Sequence, residues 1–237
     1  MKKLFILLAL APLGAWGNYE IRDGIGWTFT IENGGATICR QNYFHPAIDE
    51  ATNGAIVIPS RLGDYPGYPV MRIGPGAFQG CDRVTTVLIP ASVIEIGDNA
   101  FSGCSSLTSI TIPSAVVKIG DNAFSGCSAL ASIVVEAGNQ YYKSEGGCMM
   151  TKDTGILIRG PNISVVSIPK GVLSISHCAF NGCEAITAIQ IPDSVTSVGE
   201  DAFLYCNSLE YNVFGNAMYI GNNENPYLIL MKTVSKN

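Results

Sequence analysis

Phe78, Phe101 and Phe124 stand 23 residues apart, and Phe180 and Phe203 keep the same interval. Other residue types follow the same period. Pro90 and Pro113 share it, as do Pro169 and Pro192, and Cys81, Cys104, Cys127, Cys183 and Cys206 each fall three residues after a phenylalanine. The fullest copy starts at Ile96, I-G-D-N-A-F-S-G-C-S-S-L-T-S-I-T-I-P, and the next at Ile119, I-G-D-N-A-F-S-G-C-S-A-L-A-S-I-V-V. A unit this short cannot bury an apolar side by itself. Fixed self-similarity at this length therefore predicts a mainly β repeat solenoid, in which each unit covers its neighbour.

The unit has a physical reading. Leu107, Ile110 and Ile112 point to one side of an extended segment, with Thr108, Ser109 and Thr111 between them. The alternation Ile110/Ile112 predicts a strand, and Pro113 ends it because proline cannot donate to a ladder. Val116, Val117 and Ile119 predict a second short extended piece, and Gly120 a turn. Asp121 is expected to cap one helical turn, Asn122-Ala123-Phe124, with Gly126 as a left-handed exit and Cys127 facing inward. Each strand should pair in parallel with its copy one repeat away, about 4.8 Å along the stack. If Phe124 is buried between units, Phe124→Ala should cost about 3–5 kcal/mol.

The repeated string I-G-x-x-A-F-x-G-C-x-x-L-x-x-I-x-I-P closely resembles the BspA-like leucine-rich repeats of bacterial surface and secreted proteins, over about residues 74–133 and 163–214. The resemblance implies a right-handed leucine-rich-repeat stack with parallel strand ladders and short helical turns. It also implies adhesion or protein–protein contact, and it brings no catalytic residues with it.

Composition and address agree with that setting. The chain of 237 residues is 47% hydrophobic and 14% charged, against a usual charged share of roughly 25%, which excludes a disordered chain. A net charge of −5 excludes a nucleic-acid binder of the usual basic kind. Residues 1–17, MKKLFILLALAPLGAWG, read as a secretory signal: Lys2 and Lys3, an apolar run, then small residues at Ala15 and Gly17. No later run is long enough for a membrane helix, so no span is expected after cleavage. The expected location is secreted, cell-surface or periplasmic.

The period divides the chain and three stretches depart from it. Residues 18–60 read as an N-terminal β cap and first rung. Trp27, Phe29 and Ile31 alternate, Asn33-Gly34-Gly35 turns, Ala36 to Cys39 returns, and Ile56-Val57-Ile58-Pro59 opens the stack. Repeats occupy 61–135 and 162–214. Between them, 136–161 is a rung enlarged by about ten residues, since Phe124 and Phe180 are 56 apart; Cys148 to Thr151 and Gly155 to Ile158 predict a hairpin around Lys152-Asp153-Thr154. Residues 215–237 read as a divergent C-terminal rung, whose open edge would allow edge-to-edge self-association.

Reactive chemistry is sparse. The five periodic cysteines are expected to be buried thiols, while Cys39, Cys148 and Cys178 lie outside their slot. Cys178 takes the polar place of Asn99 and Asn122, so partial exposure is expected and a disulfide stays open as an alternative. His177, Cys178 and Cys183 lack zinc-ligand spacing, and His177 takes the place of Asp98 and Asp121. His45 precedes Pro46 in a loop, and nothing brings a Ser-His-Asp or Cys-His set together. Neither a cofactor, a metal nor an enzyme activity is expected. Asn162-Ile163-Ser164 has the form of a glycosylation sequon.

The remaining candidate is surface. The outward strand positions Thr86, Leu88, Ser109, Thr111, Ser132, Val134, Ala188 and Gln190 are small or uncharged. Thr86, Ser109, Thr111, Ser132 and Gln190 are the candidate contact residues for a protein or extracellular-matrix partner. The insert tyrosines Tyr141 and Tyr142, with Tyr65 or Tyr68, are candidates for a carbohydrate.

Overall fold

In the computed structural model, which describes residues 18–40, 45–49, 51–214, 217–220 and 229–233, the 23-residue interval reappears as hydrogen-bond register. Residues 1–17, expected to be a secretory signal, lie outside the described residues. Strands Gly54–Val57, Val84–Leu88, Ser109–Ile112 and Ser132–Val135 form one four-stranded parallel sheet. Ser109 stands opposite Thr86 on one side and Ser132 on the other. A second parallel column joins Tyr68–Ile73, Glu95–Ile96 and Lys118–Ile119. On this column the Glu95 carboxylate accepts from Lys118 Nζ at 2.9 Å and Arg72 Nε at 3.2 Å, and those bonds hold its pKa below the usual carboxylate range.

Packing follows the register. Ile56, Val87, Ile110 and Ile133 form an inward row of the first sheet, all buried. The rings of Phe78 and Phe101 stack at 5.1 Å, Phe101 and Phe124 at 5.6 Å, and Phe180 and Phe203 at 5.1 Å, each pair within 5° of parallel. One repeat's ring thus forms the wall for the next.

The expected helical turn is not seen: the regular elements among the described residues are strands, and residues 98–103 form hydrogen-bonded turns. Asn99 and Asn122 adopt φ of 54° and 56°, left-handed values that stop a helix and that asparagine tolerates. The amides that a helix would use internally are committed between repeats. Those of Asn99, Phe101 and Gly103 donate to the carbonyls of Asp121, Ala123 and Ser125, each at 2.8 Å. The turns therefore form a ladder of their own. Asp98 likewise caps its neighbour and not itself, accepting from the Asp121 amide at 3.0 Å.

Antiparallel meanders punctuate the repeats. The N-terminal hairpin pairs Ile25–Glu32 with Gly35–Ile38 through Asn33 and Gly34, both at positive φ. A further strand, Asn18–Arg22, precedes it, and Gly35–Ile38 passes in parallel to Tyr68–Ile73. The insert follows the same plan. Tyr142–Glu145, Cys148–Thr151 and Ile156–Arg159 run antiparallel, then the last pairs in parallel with Ser174–Ile175, which in turn pairs with Ser197–Val198. Val165–Ser167 and Ala188–Gln190 form a separate two-stranded parallel sheet. At the C-terminus, Asn212–Phe214, Ala217–Ile220 and Ile229–Thr233 pair antiparallel, within the stretch expected to be a divergent rung.

Candidate functional site

The four-stranded sheet presents two outward rows. Register places Ala55, Thr86, Ser109 and Ser132 side by side. The next row runs Val57, Leu88, Thr111 and Val134. The structure thus brings four of the five candidate strand residues together. Gln190 lies apart, on the two-stranded sheet beyond the insert. What the sequence reading missed is Val57, which is exposed like Leu88 and Val134 and makes the second row largely aliphatic. Its signal was present: Val57 alternates with the inward pair Ile56 and Ile58.

This aliphatic row runs into a cleft of about 770 Å³, bordered by Val57, Leu88, Pro90, Arg22, Arg61 and Tyr65. Arg61 is held there by the carbonyls of Pro66 and Gly67, at 2.9 Å and 3.1 Å from its Nε. Tyr65 is 95% exposed and Tyr141 52% exposed, while Tyr68 is 40% exposed. Tyr142 does not belong with them. It is buried, and its hydroxyl accepts the Ile119 amide at 3.0 Å, closing the edge of the Lys118–Ile119 strand. Burial pushes its phenol pKa up. Outward placement fails for Tyr142 because it opens the strand Tyr142–Glu145 on that strand's inward face, while Tyr141, just before the strand, turns out.

The insert is fixed by two asparagines. Asn139 is fully buried with all four of its side-chain bonds made. Its Nδ2 donates to Pro113 O at 3.0 Å and Val116 O at 2.9 Å, and its Oδ1 accepts from the amides of Tyr141 at 2.9 Å and Tyr142 at 2.8 Å. Asn162 donates to Ser128 O and accepts from the Ala185 amide at 2.8 Å, bridging the two blocks of repeats. The sequon amide nitrogen is therefore engaged in the fold.

All eight cysteines are free thiols. Desolvation pushes Cys127 up to about 11, against Arg159, which lowers it; burial raises Cys148 and Cys206 to about 12 and Cys104 further still. Cys104, Cys127 and Cys206 each meet the carbonyl of a phenylalanine one repeat earlier, at 3.1–3.2 Å. Cys178 is half-buried, with φ of 54° as in Asn99 and Asn122, and its Sγ lies 3.2 Å from His177 Nε2. Among the described residues no group of three His, Cys, Asp or Glu side chains is placed to hold a metal. His45 is on the surface.

The repeat geometry has a counterpart in a known family. Six copies of the BspA-type leucine-rich repeat region match residues 67–146 and 159–224, more than half of the chain. The chain belongs to the BspA-type leucine-rich repeat family. No curated protein sequence matches it. Among solved structures, it is similar to a leucine-rich cell surface protein from Faecalibacterium prausnitzii, at 22% identity over 85% of this chain and 76% of that one, with a TM-score of 0.49. The pneumococcal vaccine antigen PcpA is similar at 19% identity over 86% and 71%, with a TM-score of 0.47. The leucine-rich repeat protein of T. pallidum is similar at 20% identity over 78% and 88%, with a TM-score of 0.38. The family assignment rests on the BspA-type repeats themselves.

Proposed function

We propose that this BspA-type protein is a non-catalytic, right-handed solenoid, exported to the cell surface or medium, that holds a protein partner on its outward sheet. The observation that carries the reading is the exposed row Val57, Leu88, Thr111 and Val134, uncharged throughout and continuous with the Tyr65 cleft. Area sets a limit on this face. Four strands about 4.8 Å apart and about 13 Å long give on the order of 190 Å², far below the roughly 800 Å² a stable complex buries on each partner. The partner must therefore also cover the cleft beside Tyr65, or bind weakly.

The test uses the mature protein and its Leu88→Glu, Val134→Glu double variant as paired baits against extracellular-matrix and envelope proteins. Both changes sit outside the core, so the free energy of unfolding should stay within about 0.5 kcal/mol of the parent while partner capture is lost. Capture unaffected by the two charges removes this face from the account.

A second reading, carbohydrate binding, is favoured by Tyr65, 95% exposed beside Arg22, Arg61 and Asp23 at the cleft. Glycan-array binding that is lost in Tyr65→Ala supports it, and binding that survives both Tyr65→Ala and Tyr141→Ala removes it.

A further inference from the structure

Between Phe78 and Phe203 the period fails once, between Phe124 and Phe180, and the failure leaves a gap that one arginine partly fills. In a regular step the amides of Asn99, Phe101 and Gly103 donate to the next repeat. The equivalent amides of Asn122, Phe124 and Gly126 meet no carbonyl among the described residues, because the layer containing Ile156–Arg159 lacks the A-F-x-G-C turn. Arg159 enters in place of that turn. Its Nη1 donates to Asn181 O at 3.0 Å and Ala179 O at 3.3 Å. These are the counterparts of Ser125 O and Ala123 O, which elsewhere receive backbone amides. Its Nη2 reaches back to Cys127 O at 3.3 Å.

The substitution is incomplete in charge. Arg159 is 2% exposed; among the described residues its Nε–H has no partner and its bonds go to backbone carbonyls, not to a carboxylate. Carbonyl dipoles solvate a guanidinium but leave its charge uncompensated, and a buried charge is costly unless paired. Beside it is a cavity of about 60 Å³, lined by Asn122, Phe124, Ser125, Arg159, Ser176 and Cys178. Asp121 also borders it and is exposed to solvent.

The sequence marks the same spot independently. Ser176 takes the slot of Gly97, Gly120 and Gly199, where a Cβ would fall 2.7, 2.2 and 2.3 Å from the preceding repeat. A serine is accommodated only where the layer beneath is open. It adds a hydroxyl donor to a gap already bordered by a cation and orphan amides. About 60 Å³ is the share of two water molecules, enough for one halide-sized ion and a companion water. The buried Oδ1 of Asn122, which has no donor, gives that water a place.

We propose that this fault in the stack is a site for one monovalent anion of halide size, neutralising Arg159 and joining the repeat of Phe124 to that of Phe180. Bromide is the probe. Protein prepared free of halide is titrated with sodium bromide against sodium gluconate at constant ionic strength below about 0.1 M, and crystals in bromide are measured at the bromine absorption edge. At ten times the dissociation constant the linkage relation gives a rise in melting midpoint of roughly 3–5 °C in bromide over gluconate. One anomalous peak is expected in the cavity beside Arg159. Ser176→Leu, which fills the cavity and leaves the Arg159 bonds in place, should remain folded and lose the bromide-specific rise. Arg159→Met should lose it too and start from a lower midpoint in gluconate. Equal midpoints for the wild-type protein in the two salts overturn the proposal, as does a peak seen only in crystals or a rise that persists in Ser176→Leu. If neither variant folds, the wild-type salt comparison decides.

Discussion

The phenylalanine column makes a graded prediction. Phe101 is fully buried between two parallel rings, Phe78 at 5.1 Å and Phe124 at 5.6 Å. Phe124 is also buried, but it has a ring on one face and borders the cavity beside Arg159 on the other. Removing a core phenylalanine costs about 3–5 kcal/mol, and an aromatic pair adds about 0.5–1.5 kcal/mol beyond area. Phe101→Ala forfeits two such pairs and Phe124→Ala one. The expectation is about 5 kcal/mol for the first and about 3.5–4.5 kcal/mol for the second. Urea unfolding at constant m measures both. Following it by far-ultraviolet circular dichroism and by tryptophan fluorescence, to which Trp27 in the first block contributes, checks that one transition is being read, since repeat arrays can lose cooperativity. A cost for Phe124→Ala equal to or above that for Phe101→Ala refutes the asymmetry. A cost below about 1 kcal/mol for either refutes the burial.

Other outcomes follow from the same contacts. Asn139→Ala breaks four buried hydrogen bonds and should cost about 3 kcal/mol or more in chemical denaturation; a loss under about 1 kcal/mol would show that the insert is anchored elsewhere. Alkaline pH should destabilise the fold. The buried thiols have pKa raised from 9.0 to about 11 for Cys127 and about 12 for Cys148 and Cys206, so the unfolded chain releases their protons first. Their contribution is complete below pH 9 and is lost as pH rises through 11 and 12, which urea midpoints at pH 7, 9.5 and 10.5 will read; a flat profile contradicts it. In native protein at pH 8, iodoacetamide should label half-exposed Cys178 before the buried thiols, and peptide mass spectrometry should find Cys104 and Cys127 unmodified; early labelling of those two would contradict the packing.

What the sequence revealed depended on repetition. Proline at the strand ends, the Ile110/Ile112 alternation and the cysteine slot are each written several times, and all appear in the structure as register and burial. The Asn-Gly turn of the first hairpin was equally plain, because its backbone needs residues that accept positive φ. The helical turn was misread for a physical reason: local propensity cannot tell whether an amide will bond within its own turn or to the repeat above. The strands Asn18–Arg22 and Tyr142–Glu145 were missed because each has only one partner strand and weak alternation. Arg159 left no mark in the period, since it works where the period is broken. Its trace was indirect, in the missing turn and in Ser176 at a glycine slot.

Equivalent residues lie over one another at intervals of one whole repeat, and an excision tests that directly. Removing residues 97–119, one complete period, joins Ile96 to Gly120 in the setting Ile119 has now. Removing residues 97–116 shortens the chain by almost as much but throws every later strand out of step. Circular dichroism during thermal unfolding should show β structure and a cooperative transition for the first protein and neither for the second. If the two deletions behave alike, the repeats do not depend on register and the stacking described here is wrong.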